Sequence, residues 1–328
     1  MNNGNSVMVT GAAGMIGSHL IDRLLSQGVE VHALDVVPLD KANNLREARQ
    51  HPNFHYTQGD IRDKAVIEAF FRPDASVLYH LASIVGVRLY MEDPLSLIDI
   101  AIIGTRNFIA LCEKHGVRIL FTSTSEVYGR NPDVPWKESD DRVLGATNVD
   151  RWSYSTSKAL IEHMLFGVHR KSGMPMSIVR FFNVYGPRQN PIYVVSQSVY
   201  RTLRGEAPDL YDGGQQTRCF TYVNDVIDGV IKAATNPDAI GEVFNLGNPA
   251  EVSIGEVVRL CIEHSGADVQ PILVETGKKY GAVYEDIERR VPDVQKASKT
   301  LGWQATTDVS SGIAQTIAWA RNNPWYLS

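Results

Sequence analysis

The chain has 328 residues, of which 44% are hydrophobic and 21% charged, with a formal net charge of -5. That length accommodates one large α/β domain or two smaller ones, and the composition excludes wholesale disorder. The charges form no basic block, which argues against a nucleic-acid surface and leaves small molecules as the expected partners.

Cys112, Cys219 and Cys261 lie far apart without CxxC spacing, so reduced thiols are expected rather than a disulfide framework or a zinc site. No apolar stretch approaches the ~20 residues that span a bilayer. The N-terminal MNNGNSVMVTG lacks the charged and apolar regions of a signal peptide. No membrane partner is expected, and the cytoplasm is the default compartment.

The first apolar run, VMVT (Val7 to Thr10), reads as a strand. Gly11-Ala12-Ala13-Gly14-Met15-Ile16-Gly17 follows it and opens a helix expected from Gly14 to Gln27, with Ile16, Leu20, Ile21, Leu24 and Leu25 on one face and Gly28 as its stop. Glycines at such a turn let the backbone approach a pyrophosphate, whose charge the free N–H groups and dipole of the helix N-terminus attract. The next strand, VEVHALD, ends at Asp35, 18 residues beyond Gly17. A carboxylate there accepts hydrogen bonds from the adenosine ribose hydroxyls and repels a 2′-phosphate. GxxGxxG alone is weak evidence, but strand, glycines, helix, strand and acid in order point to NAD rather than NADP. Asp60 and Ile61, after the third strand, are candidate adenine contacts or a plain turn.

SVLYHLA (Ser76 to Ala82) and RILFTS (Arg118 to Ser123) continue the alternation of strands with helix-length segments that signals βαβ units and a doubly wound parallel sheet of the Rossmann type. The second of these runs into FTSTSEVYG, in which an apolar strand ends in hydroxyls and a carboxylate. Strands of an open parallel sheet deliver reacting groups at their carboxyl ends, so Ser123, Thr124, Ser125 and Glu126 are expected on the floor of the ligand crevice. Tyr154 and Lys158 follow at i and i+4, on a helix whose apolar face is Leu160, Ile161, Met164, Leu165 and Val168. A tyrosine with its ordinary pKa of ~10 is a poor base, and each unit of depression takes about 1.4 kcal/mol. A neighbouring ammonium and a nicotinamide cation would supply it and let Tyr154 accept a proton from a substrate hydroxyl.

After SIVRFF (Ser177 to Phe182) the texture changes, with NVYGPRQNP and GEAPDLYDGG carrying the Gly and Pro punctuation of turns. Residues 1–183 are expected to form the NAD-binding domain. Residues 184–328 are expected to form a smaller, discontinuous substrate-binding region. A helix over Tyr222 to Ala234 and a strand over Gly241 to Asn248 place 220–247 back on the main sheet.

Glycine loop, Ser/Thr at the strand end and YxxxK together resemble the extended short-chain dehydrogenase/reductase superfamily, specifically its nucleotide-sugar enzymes. FFNVYGPR (Phe181 to Arg188), DGGQQTRCFTYVNDV (Asp212 to Val226), FNLGNP (Phe244 to Pro249) and RRVPDVQKASKTLGW (Arg289 to Trp303) carry the likeness over essentially the whole chain. The resemblance implies a redox-neutral enzyme that uses NAD to oxidise a sugar at C4, with a UDP-sugar favoured as substrate. It adds Leu81 and Ala82 to the cofactor contacts. Val85, Arg88, Asn183, Arg188, Arg218 and Tyr222 are implied at the substrate, and a homodimer through the helices at Thr105 to His115 and Tyr154 to His169.

Such enzymes diverge after the oxidation into epimerases, 4,6-dehydratases and decarboxylases. Ser125-Glu126 after Thr124 resembles the UDP-glucuronate decarboxylases, though GDP-mannose 4,6-dehydratases share Thr-Ser-Glu and simple epimerases often carry a small residue at Glu126. RWSYSTSK and YEDIERRVPD resemble the decarboxylase of the aminoarabinose pathway, whose catalytic arginine matches Arg290. For a decarboxylase the likeness implies Thr124 on the C4 oxygen, Tyr154 as base and Lys158 lowering its pKa, with Arg290, Ser125 and Glu126 steering the carboxylate and the reprotonation. Epimerisation at C4, or dehydration with Glu126 as base at C5, are the alternatives. A non-catalytic NAD sensor is a different class, against which Thr124, Tyr154 and Lys158 argue. Val85 and Ser125 stand where apiose-forming relatives use cysteines, which disfavours ring contraction.

Overall fold

Runs of aliphatic residues buried on both faces build the central sheet of the computed structural model, which describes residues 6–84, 93–275, 287 and 289–328. Its strands are β1 (Ser6–Thr10), β2 (Glu30–Asp35), β3 (Phe54–Gln58), β4 (Val77–His80), β5 (Arg118–Thr124), β6 (Met176–Phe181) and β7 (Glu242–Leu246). β1 and β4 are buried at every position, the pattern of parallel strands covered on both sides rather than half-solvated ones. All pairings are parallel and the order is β7-β6-β5-β4-β1-β2-β3. This is the doubly wound Rossmann order, with its reversal between β1 and β4, so the ligand crevice lies outside the carboxyl ends of those strands. The strand expected over Ser76 to Ala82 stops at His80. There the chain leaves the sheet, and Leu81 N–H donates to Thr10 O at 3.2 Å.

Helices cover both faces. α1 (Met15–Ser26) buries Leu20, Ile21, Leu24 and Leu25, as its apolar spacing predicts, and packs with α6 (Val223–Thr235) on one side. α2 (Lys64–Phe70), α3 (Pro94–His115) and α4 (Arg151–Ser172) cover the other, where Ile61, Phe70, Phe108, Ile161 and Leu165 share a core with Met8, Leu78 and Ile119. α5 (Val194–Leu203), α7 (Ile254–Ser265) and α9 (Val309–Arg321) pack together beside the sheet, and α8 (Gln295–Leu301) lies against β7. Around them, among the described residues, are short pairings of Thr217–Cys219 with Glu251–Ser253, Asp209–Tyr211 with Ile272–Val274, and Val184–Tyr185 with Thr221–Tyr222.

One expectation from the sequence fails. α3 is a continuous helical run of 22 residues that includes an 18-residue stretch of mean hydropathy 1.6, long and apolar enough to cross a bilayer by length and composition alone. Asp99 and Arg106 break the run as read residue by residue, but a π-turn over Ile100–Gly104 joins the two helical pieces into one. Ala101, Thr105, Phe108, Ile109 and Cys112 of this helix are buried in the protein core.

Candidate active site

The glycine turn is shaped by close approach. Gly11 has φ 71°, and a Cβ there would lie 2.8 Å from Ala82 N; a Cβ on Gly17 would lie 2.2 Å from Gly11 O. Gly14 caps α1 without a side-chain hydrogen bond. The first-turn N–H groups of Met15, Ile16 and Gly17 therefore have no intrahelical partner, and the positive end of the helix dipole faces the crevice. Asp35 closes this lip: its Oδ2 accepts from Ala13 N–H at 2.9 Å and its Oδ1 from Val37 N–H at 3.1 Å. A carboxylate has about four acceptor sites, so two remain for hydroxyl donors. Uncapped donors for a pyrophosphate and a fixed carboxylate for a ribose fit a dinucleotide.

His80 holds the turn from behind and has no signal in the sequence beyond its place in a strand. It is buried between Thr10 Oγ1 at 2.8 Å and Thr105 Oγ1 at 2.9 Å, while Ala82 N–H donates to Thr10 Oγ1 at 3.2 Å. Burial, reinforced by the charge of Lys158, pushes His80 down to about 3, so it is neutral. Asp60 is engaged by Arg62, through Nε at 3.1 Å and Nη2 at 2.6 Å. Ile61 sits in the core against Gly104 of α3, where a Cβ would lie 2.4 Å from its Cδ1.

The reaction floor begins where β5 ends. Thr124 Oγ1 accepts from Glu126 N–H at 3.2 Å and so caps the short 3-10 turn Ser125–Tyr128. Ser123, expected with Thr124 on this floor, points by strand alternation to the opposite face of β5 from Thr124, toward α4, where its hydroxyl donates to Glu162 Oε1 at 2.5 Å. The 3.6-residue period of α4 puts Tyr154, Lys158 and Glu162 in one line, all buried. Lys158 Nζ donates to Thr122 O at 2.9 Å and lies 5.9 Å from the Tyr154 ring centroid. Burial pushes the Lys158 ammonium down to about 7, against a smaller upward pull from Glu162.

Glu162 is itself held by Arg180, through Nε at 3.0 Å and Nη2 at 2.6 Å. Arg180 Nη1 donates to Tyr128 Oη at 2.7 Å, Tyr128 Oη donates to Asn245 Oδ1 at 2.8 Å, and Asn245 Nδ2 donates to Trp136 O at 2.9 Å. Trp136 N–H in turn donates to Val291 O at 2.8 Å. A continuous buried chain thus runs from behind Lys158 to the backbone next to Arg290.

Arg290 and Glu126 meet directly, Nη1 to Oε1 at 2.5 Å, and Arg151 Nη2 approaches the other oxygen at 3.4 Å. Burial raises the Glu126 carboxyl, but Arg290, then Arg151, and more distantly Arg218 outweigh it and hold the group below its usual range. Ser125, next to Glu126 in the chain, is buried, and Arg290 Nε is buried with no partner among the described residues. None of the sequence motifs assigns a role to Arg151, Glu162 or Arg180. Arg151 stands one turn before Tyr154 and Glu162 one turn after Lys158, so helical spacing was the available signal; Arg180 lies on a strand, with no local mark.

The expected substrate residues divide. Asn183, with φ 35°, donates from Nδ2 to Cys219 O at 3.3 Å at the exit of β6. Arg218 is buried with its charge directed on Glu126. Arg188 has φ 67°, a backbone turn that carries its guanidinium to Asp22 of α1 at 2.7 Å, away from Glu126. Tyr222 packs edge-on against Tyr185, ring centroids 5.7 Å apart, within the core. Val85 and Arg88 lie outside the described residues.

Comparison with known proteins agrees with this geometry. A family model described as GDP-mannose 4,6 dehydratase matches residues 8–316. UDP-N-acetyl-alpha-D-glucosaminuronate decarboxylase of Bacillus cytotoxicus is 35% identical over 317 residues, covering 96% of this chain and 97% of that protein. UDP-glucuronic acid decarboxylase 1 of Xenopus tropicalis is 33% identical over 319 residues, covering 96% of this chain and 72% of that protein. Among solved structures, UDP-glucuronic acid 4-epimerase from Bacillus cereus, in complex with UDP-glucuronic acid and NAD, is similar with a TM-score of 0.84 and 27% identity, covering 97% of this chain and 99% of that one. With its glycine turn, strand-end Thr124 and helical Tyr154-Lys158 pair on a sheet of this order, the chain belongs to the GDP-mannose 4,6-dehydratase-like family of extended short-chain dehydrogenases/reductases.

Proposed function

We propose that the protein is an NAD-dependent decarboxylase of a UDP-glucuronate-type nucleotide sugar. The observation that carries this reading is the cluster of Arg290, Arg151 and Arg218 around the single carboxylate of Glu126, beside Tyr154 and Lys158. Three guanidinium groups on one carboxylate leave positive charge for a uronate and a diphosphate, and an arginine fork matches either in two-point contact. The two relatives reported above are named as decarboxylases of nucleotide-linked uronic acids.

The residues Gly11, Gly14, Met15, Ile16, Gly17, Asp35, Leu81 and Ala82 would hold NAD, which supplies reversible oxidation of the sugar at C4 when bound. Tyr154 takes the proton of the C4 hydroxyl, with Thr124 hydrogen-bonded to the same oxygen and the Lys158 ammonium favouring the phenolate. A ketone at C4 makes the C5 carboxylate a β-keto acid. The bond from C5 to the carboxyl carbon breaks, carbon dioxide leaves, and the electron pair passes into an enolate whose oxygen sits between Thr124 and the protonated Tyr154. Ser125, Glu126 and Arg290 border the face on which C5 regains a proton. Glu126, held ionised by its arginines, orients there rather than donates.

The test is mass spectrometry of products after incubation with NAD and, separately, UDP-glucuronate, its 2-acetamido analogue, UDP-glucose and GDP-mannose. Loss of carbon dioxide from either uronate is expected. An unchanged mass with a new sugar isomer by NMR would make the protein a 4-epimerase, and loss of water from a hexose a dehydratase; either outcome overturns the reading. A homodimer through α3 and α4 belongs to the same proposal, supported by Ile98, Ile103 and Leu160 exposed on those helices. A monomer mass by light scattering would refute it.

A further inference from the structure

At the amino end of β2, away from the crevice, three side chains converge that the reaction does not use. β2 begins Glu30-Val31-His32, and alternate residues of a strand share a face, so Glu30 and His32 lie side by side. The parallel register puts His55 of β3 directly opposite His32. Glu30 Oε1 lies 2.9 Å from His55 Nε2 and 3.5 Å from His32 Nε2. The two imidazoles stack with centroids 4.9 Å apart and 22° between their planes. One donor atom from each residue lies within 4.8 Å of the other two.

We propose that Glu30, His32 and His55 form a divalent transition-metal site, best matched to zinc, that clips β2 to the edge strand β3. Zinc bound tetrahedrally at 2.0–2.1 Å spaces its donor atoms about 3.3–3.4 Å apart, within the range these side chains already span. Two imidazoles and a carboxylate are a zinc donor set, with the fourth position open to water. A surface ion pair accounts for Glu30 with His55. It leaves unexplained a second imidazole, stacked on the first, whose Nε2 is directed at the same oxygen.

Access and preorganisation also fit. β3 is the outermost strand of the sheet, and the Glu30 and His55 side chains are 46% and 49% exposed, while His32 is only 13% exposed and held by packing. Arg72 and Asp74 also stand near His32, with the charge of Arg72 the stronger of the two. At ~3.3 Å per residue, Glu30 is about 17 Å from Asp35 at the other end of the strand. The site therefore acts on the stability of the sheet edge and not on the cofactor.

Full-length protein stripped of metal by chelator is titrated with cobalt(II) as a spectroscopic probe, then with zinc, in parallel with Glu30→Gln and a His32→Ala/His55→Ala double variant. Saturation at one cobalt per chain is expected, with visible bands of tetrahedral coordination that zinc abolishes and that the double variant lacks. Zinc raises the melting temperature of the unsubstituted protein by several degrees and that of the double variant not at all, because only a ligand that binds the folded state shifts unfolding. Turnover is unchanged in every case. Absence of saturable binding, or the same binding in the double variant, overturns the proposal.

Discussion

The guanidinium of Arg290 closes on the carboxylate of Glu126 at 2.5 Å, joining a loop before α8 to the end of β5 across 164 residues. Each charge makes the other tolerable in a partly buried place, and the pair stands beside the residues that handle the proton. The contact connects the second region of the chain to the reaction floor.

Arg290→Ala is expected to lower kcat about 10²–10³-fold, the usual cost of removing one preorganised charge-stabilising donor. Arg290→Lys recovers only part, because an ammonium lacks the two-pronged geometry. In a cycle with Glu126→Gln the double variant loses less than the two single losses combined. Steady-state kinetics on the four proteins checks this, and additive losses would show that the two residues act separately.

Tyr154→Phe lowers kcat by roughly 10²–10⁴-fold, the range of a lost general base, while NAD affinity followed by fluorescence stays near that of the parent. Lys158 adds a pH signature. As pH rises through about 7 the ammonium loses its proton and its support of the phenolate fades, so the kcat profile breaks near neutrality. Lys158→Met removes that break and moves the rising limb, on which Tyr154 ionises, up toward the ordinary tyrosine value of ~10. A profile in which the variant keeps the neutral break would assign it to another group.

Glu162→Gln leaves the Arg180 guanidinium buried without its counter-charge. Breaking a buried pair from one side costs about 3–5 kcal/mol, read as a lower midpoint in urea unfolding. Glu162→Gln/Arg180→Met is less destabilised than Glu162→Gln alone, since no unpaired charge remains. The single variant also shifts the Lys158 break in the pH profile downward, because Glu162 raises that pKa.

His80 makes the fold acid-sensitive. The unfolded chain binds a proton at this residue below its ordinary 6.5, whereas the folded chain resists it until about 3. Stability present above pH 6.5 is therefore lost as pH falls through that window, by about 1.4 kcal/mol per pH unit. His80→Asn should flatten the dependence of unfolding free energy on pH by one proton, at the cost of lower stability at neutral pH. Equal slopes in the two proteins would mean that His80 titrates normally.

Local geometry explains which parts of this protein are legible without coordinates. The strands, the Gly11–Gly17 turn, Asp35 at a strand end and the Tyr154–Lys158 pair all follow from periods of two and 3.6 residues and from backbone freedom at glycine, which act between near neighbours. The resemblance to nucleotide-sugar enzymes pointed to Thr124, Glu126 and Arg290, but not to the ion pair between the last two.

Partnerships across the sheet obey no such period. Ser123 faces Glu162, Arg188 turns to Asp22, and Tyr222 packs on Tyr185, because strand pleat, a left-handed φ and core packing select among residues that the sequence lists as equals. The sequence by itself determined the elements and the cofactor turn, since these are properties of short segments. Tertiary structure decided which charges are buried together, and so set Lys158 near neutrality and Glu126 ionised, because the energy of a charge depends on what surrounds it in space.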